Sequence, residues 1–274
     1  MAAIRTTIRG NDSNRACAYV LACIVFTACW TMKFSARNAR GMSLPCTVEK
    51  LGGNPRNNMY GAWYVCADLI AAPTTLISVG SGCDSTFEQA FLARYPGSAV
   101  HIFDPTISNA RFQSCANSSA AATGQTVPHA GLTFWRVGLS NETKMVAFNK
   151  SPDPRIGSQS EVALPKYKPA DASLELVVDL ATLYTMLGVT TRPVLKIDIE
   201  GSEYRVIEGF CGHPAIERSL WPSQILIEFH DRLVGDGDGV SFGRLDAYAC
   251  LRNAGYKLEY ESPAKEEVLF ALPV

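Results

Sequence analysis

Short apolar runs that end in glycine or acidic residues recur along this chain. Leu76–Gly80, Ala99–Asp104 and Val194–Asp198 are three of them. Apolar runs of about four to eight residues bounded by turn residues are typical of buried parallel strands. Between them, Ser85–Tyr95 and Asp179–Gly188 carry apolar residues at helical spacing. This alternation of strands and helices predicts an α/β fold built on a mostly parallel sheet.

Two of the predicted strands end in acidic and imidazole side chains. One runs into Asp198 and Glu200, and a later one ends at Glu228 and His230. Alternate residues of a strand share a face, so each pair projects to one side. The carboxyl ends of parallel strands lie at one edge of the sheet, where ligands bind. If the two strands are neighbours, these four side chains converge.

Three of these groups are the candidate catalytic residues: His230, Asp198 and Glu200. His230 is predicted to act as a general base, because imidazole titrates near neutral pH. The competing interpretation is a histidine that only hydrogen-bonds a neighbouring carboxylate. A divalent cation held by the three groups is a further alternative, but no sequence motif supports it and no metal is assigned. Glu203 is predicted only to cap the following helix.

A glycine loop follows the first of these strands, at Gly80-Ser81-Gly82. Glycine lets the backbone pass close to a ligand because it has no Cβ. Asp104 ends the next strand, where a carboxylate can accept hydrogen bonds from two ribose hydroxyls. Ser85 stands where a dinucleotide-binding fingerprint has its third glycine, which disfavours a pyrophosphate. A cofactor with a ribose and without phosphates, such as S-adenosylmethionine, fits the loop better.

With these motifs the chain resembles the FkbM-type methyltransferases and their membrane-anchored, methyltransferase-like eukaryotic relatives. The resemblance is carried by the glycine loop through Glu88, by His101–Pro105 and by the acidic stretch Val194–Glu203. Trp63–Cys66 and Gln224–His230 match further segments of that family. The similarity extends over residues 46–272.

The resemblance implies a class I, Rossmann-like methyltransferase fold, with a seven-stranded, mostly parallel sheet whose last strand is antiparallel. It implies that Gly138-Leu139-Ser140 approaches the adenine and that Asp198 faces the sulfonium and the acceptor. The implied S-adenosylmethionine-binding residues are Gly80, Ser81, Gly82, Asp84, Glu88, Asp104, Pro105, Gly138, Leu139 and Asp198.

The function predicted from these residues is S-adenosylmethionine-dependent O-methylation of a small-molecule or glycan hydroxyl by in-line methyl transfer. Two alternatives stay open. One is a nicotinamide-dependent oxidoreductase on a similar sheet, which Ser85 disfavours. The other is a non-catalytic binding protein that keeps the fold.

Composition and charge limit the classes of binding partner that this chain can have. The 47% hydrophobic and 19% charged content is that of a globular protein. The net charge is −1, yet residues 1–40 hold six basic residues and one acidic residue. The remainder is therefore mildly acidic, which argues against nucleic-acid binding through a broad basic face.

An uncharged apolar run at residues 16–32 sets the expected domain organisation. Its length is at the short end of a membrane span, and its basic flanks favour targeting over a buried core helix. We expect a tail at 1–15, a transmembrane signal anchor at 16–32, a stem and entry segment at 33–75 and a catalytic domain at 76–274. A cleaved signal peptide is the alternative to an anchor. The expected location is the lumen of the secretory pathway, in the Golgi.

The nine cysteines bear on the same question. No Cys-x-x-Cys pair is present, which disfavours a zinc site. If the domain is lumenal, Cys46 and Cys66 are candidates for a disulfide that closes the entry segment.

Overall fold

The computed structural model describes residues 45–273 apart from 123, 125–129, 151–158, 162–171, 213–214 and 232–241. Residues 46–274 form one compact unit, which begins inside the segment that the sequence assigns to the stem and entry. The predicted tail and anchor lie outside the described residues. Within the described ranges, no helix is long and apolar enough to cross a membrane.

The regular elements are numbered in chain order. The strands are β1 (Val48–Leu51), β2 (Trp63–Cys66), β3 (Thr75–Val79), β4 (Ala99–Phe103), β5 (Leu132–Trp135), β6 (Gly138–Leu139), β7 (Lys144–Lys150), β8 (Gln159–Ser160), β9 (Ser173–Val178), β10 (Val194–Ile197), β11 (Gln224–Glu228), β12 (Lys257–Glu261) and β13 (Glu267–Ala271). The helices are α1 (Thr86–Arg94), α2 (Asn109–Ala122), α3 (Leu180–Leu187), α4 (Glu203–Gly212) and α5 (Arg244–Asn253).

The main sheet has seven strands in the order β12-β13-β11-β10-β3-β4-β5. Neighbours from β11 to β5 are parallel. The last strand, β13, lies between β11 and β12 and is antiparallel to both. This confirms the predicted class I, Rossmann-like fold. The chain order reverses between β3 and β10, so a crevice for a ligand is expected beyond the carboxyl ends of these two strands.

The central strands are buried on both faces, which explains their continuous apolar sequences. Ile77 and Leu195 belong to the core cluster on one face of the sheet. Leu76 and Val194, their neighbours in sequence, belong to the cluster on the opposite face. Because the centre of the sheet is covered on both sides, only the ends of its strands are open to ligands.

A second, four-stranded sheet has the order β6-β9-β7-β8. Its longer strands are β7 and β9, which pair antiparallel. Leu174 and Leu176 are exposed on β9, so this strand is covered on one face only. That pattern suits a small peripheral sheet and explains why β9 is not a strand of the main sheet.

The β1–β2 hairpin is fastened to the main sheet. The predicted Cys46–Cys66 disulfide is confirmed. The side chain of Gln224 in β11 accepts a hydrogen bond from Cys66 N at 2.8 Å and donates one to Cys66 O at 2.9 Å. The entry segment from Cys46 onward is thus part of the folded domain, and residues 58–64 reach the crevice at the strand ends.

Candidate active site

A cavity of about 830 Å³ lies at the carboxyl ends of β3, β4, β10 and β11. Small-molecule sites in proteins usually enclose about 300–1,000 Å³. The loop after β3, the end of β4, strand β6 and the acidic ends of β10 and β11 all line this one space. The cavity therefore joins the two regions that the sequence singles out.

The backbone after the neighbouring strand β10 passes so close to position 80 that only glycine fits there. Its φ is +74°, and a Cβ at this position would lie 1.7 Å from the carbonyl oxygen of Asp198. Lys196 Nζ also donates a hydrogen bond to Gly80 O. The sequence prediction explained this glycine by close approach to a ligand, whereas the approach seen is to the acidic strand. The glycine loop and the acidic cluster are consequently in direct contact.

The two residues after Gly80 face the cavity. Gly82 has a φ of +54°, and a Cβ there would meet nothing within 4 Å. Ser81 Oγ is buried and has no hydrogen-bond partner among the described residues. A buried hydroxyl without a partner is unfavourable unless a ligand or water satisfies it.

Asp104 holds the glycine loop in place from the end of β4. Its Oδ2 accepts a hydrogen bond from Gly82 N at 2.9 Å, and its Oδ1 accepts from Thr106 N at 2.9 Å and Thr106 Oγ1 at 2.6 Å. A carboxylate offers about four lone-pair positions. Asp104 lines the cavity, so it has capacity left for a ligand hydroxyl.

The carboxyl groups of Asp84 and Glu88 are engaged within the protein, although both residues line the cavity. Asp84 Oδ1 accepts from Thr86 N at 2.8 Å at the start of α1. Ser85 lies at the N-cap, but its side chain makes no cap hydrogen bond. Glu88 is 1% exposed and accepts from Ser78 Oγ at 2.5 Å. Burial raises the pKa of the Glu88 carboxyl.

Pro105, Gly138 and Leu139 line another part of the cavity wall. A Cβ on Gly138 would lie 2.9 Å from a Val177 methyl carbon and 3.1 Å from Pro105 Cγ. Ser140, which the family resemblance places near an adenine, instead donates a hydrogen bond to Glu161 Oε1 at 3.2 Å and is buried.

The four predicted polar groups at the ends of β10 and β11 do converge, because these strands are parallel neighbours. His230 Nε2 lies 3.5 Å from Glu228 Oε1, 3.7 Å from Glu200 Oε2 and 3.9 Å from Asp198 Oδ1. The side chains of Asp198, Glu200 and Glu228 are 28%, 26% and 23% exposed, against 2% for His230. The carboxylates thus form the accessible surface, and the imidazole lies behind them.

Glu203 belongs to this cluster, which the sequence analysis missed. Its carboxylate accepts from Ile199 N and Gly201 N, each at 2.9 Å, as a group at a helix start does. The same carboxylate accepts a 2.8 Å hydrogen bond from His230 Nδ1. It therefore fixes the ring so that Nε2 points at the other three carboxylates. The predicted role of Glu203 as only a helix cap is incomplete.

A tight turn between β10 and α4 delivers Glu200 to the cluster. Glu200 has a φ of +54°, in the left-handed region, and Gly201 follows at +103°. A residue with a side chain pays about 1–2 kcal/mol for that conformation. Ser160 Oγ donates to Glu200 O at 2.6 Å and stabilises the turn. Strained residues of this kind concentrate at functional sites.

The negative charge of the cluster changes the titration of its members. Burial lowers the pKa of His230, but the hydrogen bond and charge of Glu203, followed by the charges of Asp198 and Glu200, outweigh it and raise the pKa to about 10. Burial and the charge of Asp198 raise the pKa of Glu228 to about 7. At neutral pH an imidazolium supplies positive charge and does not accept a proton. His230 as a general base stays a prediction, and the carboxylates are better placed as proton acceptors.

Two further residues of the site escaped the sequence analysis. Lys196, 3% exposed, sits inside an apolar strand with its Nζ 3.6 Å from Asp198 Oδ2 and 5.0 Å from the centre of the Trp63 ring. Tyr60 lines the cavity, and burial together with Asp198 and Glu228 raises the pKa of its hydroxyl. The sequence signal for Lys196 was a lysine within an otherwise apolar strand. For Tyr60, the entry segment contained no such signal.

Comparisons with known proteins bear on the same region. The sequence model of the Methyltransferase FkbM domain matches residues 79–258, which contain the glycine loop, Asp104 and the acidic cluster. The crystal structure of Methyltransferase FkbM from Methylobacillus flagellatus KT is 16% identical, with a TM-score of 0.41, over 80% of this chain and 48% of that one. An O-methyltransferase family protein from Burkholderia thailandensis is 13% identical, with a TM-score of 0.37, over 74% and 52%. The chain spans about half the length of these two structures. No curated protein matches it.

Proposed function

Because the chain belongs to the family of methyltransferases that share the FkbM domain, we propose that it transfers a methyl group from S-adenosylmethionine to a hydroxyl group of a small molecule or glycan. One observation carries the proposal. A single cavity contains both a glycine loop braced by a carboxylate and a cluster of groups that can take a proton. Methylation of an alcohol needs a binding site for the methyl donor and a proton acceptor beside it.

The residues around the glycine loop fit S-adenosylmethionine. This cofactor supplies a methyl group made electrophilic by a positively charged sulfur. Ser81 Oγ, buried without a partner among the described residues, is available to a polar group of the ligand. Asp104 has about one lone-pair position left for a ribose hydroxyl, and the backbone at Gly82 opens directly onto the cavity. Gly138 and Leu139 supply an apolar wall that suits a purine.

The acidic cluster would bind the methyl acceptor and take its proton. Asp198 N donates to Val79 O at 3.0 Å, and Asp198 O lies against Gly80, so this carboxylate is held at the edge of the glycine loop. Glu228 presents its carboxylate to the same space and is the group we assign to accept the hydroxyl proton. His230 lies behind both with its positive charge. These groups would position the acceptor oxygen next to the donor. They would also balance the negative charge that develops on this oxygen as its proton leaves.

Calorimetric titration of the purified chain tests the donor. We expect S-adenosylmethionine to bind and NAD to leave the heat signal unchanged. Binding of NAD in its place would support the oxidoreductase alternative. Binding of S-adenosylmethionine without transfer to any hydroxyl in a broad acceptor panel would support a binding protein.

Replacing Asp104 with asparagine is expected to weaken S-adenosylmethionine binding about 10- to 100-fold, because a charge-assisted hydrogen bond contributes about 1.5–3 kcal/mol. The Asn side chain keeps one oxygen that can accept from the loop. Calorimetry measures the change. Glu208→Gln, an exposed change on α4, is the matched control and should bind as the unmodified chain does. Equal affinity of Asp104→Asn and the control would rule out the ribose contact.

We propose that the domain works in an oxidising compartment of the secretory pathway. Disulfides support this: Cys46–Cys66, Cys83–Cys115 and Cys211–Cys250. Structural disulfides persist in such compartments and are rare in the cytosol. Thiol alkylation of intact cells and organelles, followed by mass spectrometry, should leave these six cysteines unlabelled. Labelling of all six would contradict the location.

A further inference from the structure

Three groups at the crevice have the composition of a metal site. One ligand atom each from Asp198, Glu200 and His230 can be chosen so that all lie within 4.8 Å of one another. Two carboxylates and an imidazole are a common donor set for divalent cations. We propose that these three side chains bind one divalent cation of the Mg²⁺/Mn²⁺ class. The site stands on these residues alone, while its part in methyl transfer rests on the proposed function.

The distances leave room for an ion. His230 Nε2 is 3.7 Å from Glu200 Oε2 and 3.9 Å from Asp198 Oδ1, longer than hydrogen bonds. Ligand atoms about 2.1 Å from a shared cation lie roughly 3.0–3.5 Å apart when their bonds subtend about 90–110°. The three ligand atoms lie within 4.8 Å of one another, so closing the cluster around an ion needs shifts of up to about 1.3 Å. Both carboxylates end side chains that can make such shifts.

The orientation of His230 is an independent observation that points to a ligand. Its side chain is 2% exposed, and Nδ1 is committed to the Glu203 carboxylate at 2.8 Å. Histidines that bind metals usually donate their second ring nitrogen to a carboxylate or carbonyl in this way. Glu203 is itself fixed by Ile199 N and Gly201 N. Nε2 is thus held rigidly toward Asp198 and Glu200.

The negative charge of the cluster favours binding of a cation. Four carboxylates, those of Asp198, Glu200, Glu203 and Glu228, lie within 4 Å of His230. Lys196 opposes them, with its Nζ 3.6 Å from Asp198 Oδ2. Negative charge concentrated in a partly buried site is costly. A divalent cation offsets it.

The donor set indicates the kind of ion. Oxygen donors dominate, and no thiolate stands among the three ligands, which favours Mg²⁺ or Mn²⁺ over softer metals. These ions keep several coordination positions for water or substrate. An open position would hold the acceptor oxygen and favour loss of its proton to Glu228, which lies 3.5 Å from His230 Nε2.

Titration of the full chain with Mn²⁺, followed by electron paramagnetic resonance of the free ion, tests the site without a methyl donor. We expect one saturable site in the unmodified chain and in Glu208→Gln. Asp198→Asn and His230→Asn should each weaken binding at least about 10-fold, and Glu203→Gln about 10- to 100-fold, as changes to groups supporting a metal ligand do. Thermal unfolding of each variant verifies that it is folded.

Two results would overturn the site: no saturable Mn²⁺ binding, or equal binding by the ligand variants and Glu208→Gln. The outcome is separable from that of the proposed function. If S-adenosylmethionine binds and its methyl group is transferred while Mn²⁺ does not bind, the metal site fails and the function stands. If Mn²⁺ binds as expected while S-adenosylmethionine does not bind, the function fails and the metal site stands.

Discussion

Replacing Gly80 with alanine is expected to abolish S-adenosylmethionine binding and to lower the free energy of unfolding by about 3 kcal/mol or more. The new Cβ would lie 1.7 Å from Asp198 O and 2.7 Å from its carbonyl carbon, and φ is +74°. Both obstructing atoms are backbone, so no side chain can move away. Relief requires separating the glycine loop from the acidic strand, which deforms both walls of the cavity. Urea unfolding and calorimetry measure the two effects.

Gly188→Ala is the matched control, because Gly188 has a similar φ of +60° but nothing within 4 Å of its Cβ position. It ends α3, away from the cavity-lining residues. We expect it to cost only the left-handed strain, about 1 kcal/mol, and to leave cofactor binding intact. If the two variants were equally stable and bound S-adenosylmethionine equally well, the close contact between Gly80 and Asp198 would not be needed for the site.

Replacing His230 with asparagine is expected to lower turnover by about 100-fold or more while S-adenosylmethionine affinity changes little. The asparagine amide can still donate to Glu203 as Nδ1 does, so Glu203 stays paired. What disappears is the group at Nε2, 3.5–3.9 Å from Glu228, Glu200 and Asp198. Loss of its charge or of a metal ligand would each remove transition-state stabilisation. Steady-state kinetics with calorimetry separates turnover from binding.

His101→Asn serves as the control for the loss of an imidazole. His101 accepts a hydrogen bond from Trp135 Nε1 at 3.3 Å and lies outside the cavity lining. Its replacement should leave kcat unchanged. A fall in S-adenosylmethionine affinity in His230→Asn as large as the fall in turnover would make His230 a structural residue, and normal turnover would remove it from the mechanism.

The sheet and the two halves of the cavity were predictable because their signals are local. A strand buried on both faces must be apolar, and the residue after it lies at the sheet edge; Asp104 and Asp198 follow such runs. The convergence of Asp198 with His230 needed only that β10 and β11 be neighbours, and this is confirmed.

The residues that sequence reasoning missed depend on contacts between distant segments. Glu203 looked like an ordinary acidic residue at a helix start, and its hydrogen bond to His230 spans 27 residues. Lys196 looked like part of a buried strand because its neighbours are apolar, and Gly80 O, its partner, is 116 residues away. The role of Gln224 in fastening the entry hairpin likewise rests on a contact over 158 residues. No periodicity or motif encodes such pairs.

The alternative of a bound divalent cation also depended on contacts between distant segments, which the sequence alone does not reveal. In the sequence, Asp198, Glu200 and His230 were a strand-end pair and a distant histidine, with no recognised ligand spacing. The tertiary structure supplies what the spacing lacked: a common space for three ligand atoms and a carboxylate behind the imidazole. The proposed metal site rests on this geometry.

Transfer of a labelled methyl group from S-adenosylmethionine into fractionated extract, followed by identification of the product, is the decisive measurement. The proposed function predicts a labelled product whose methyl group is an ether, stable to mild base. Its formation should be lost in Gly80→Ala and strongly reduced in His230→Asn. Label released by mild base would indicate methylation of a carboxylate. Labelling no greater than that of the Gly80→Ala variant would contradict methyl transfer at this cavity.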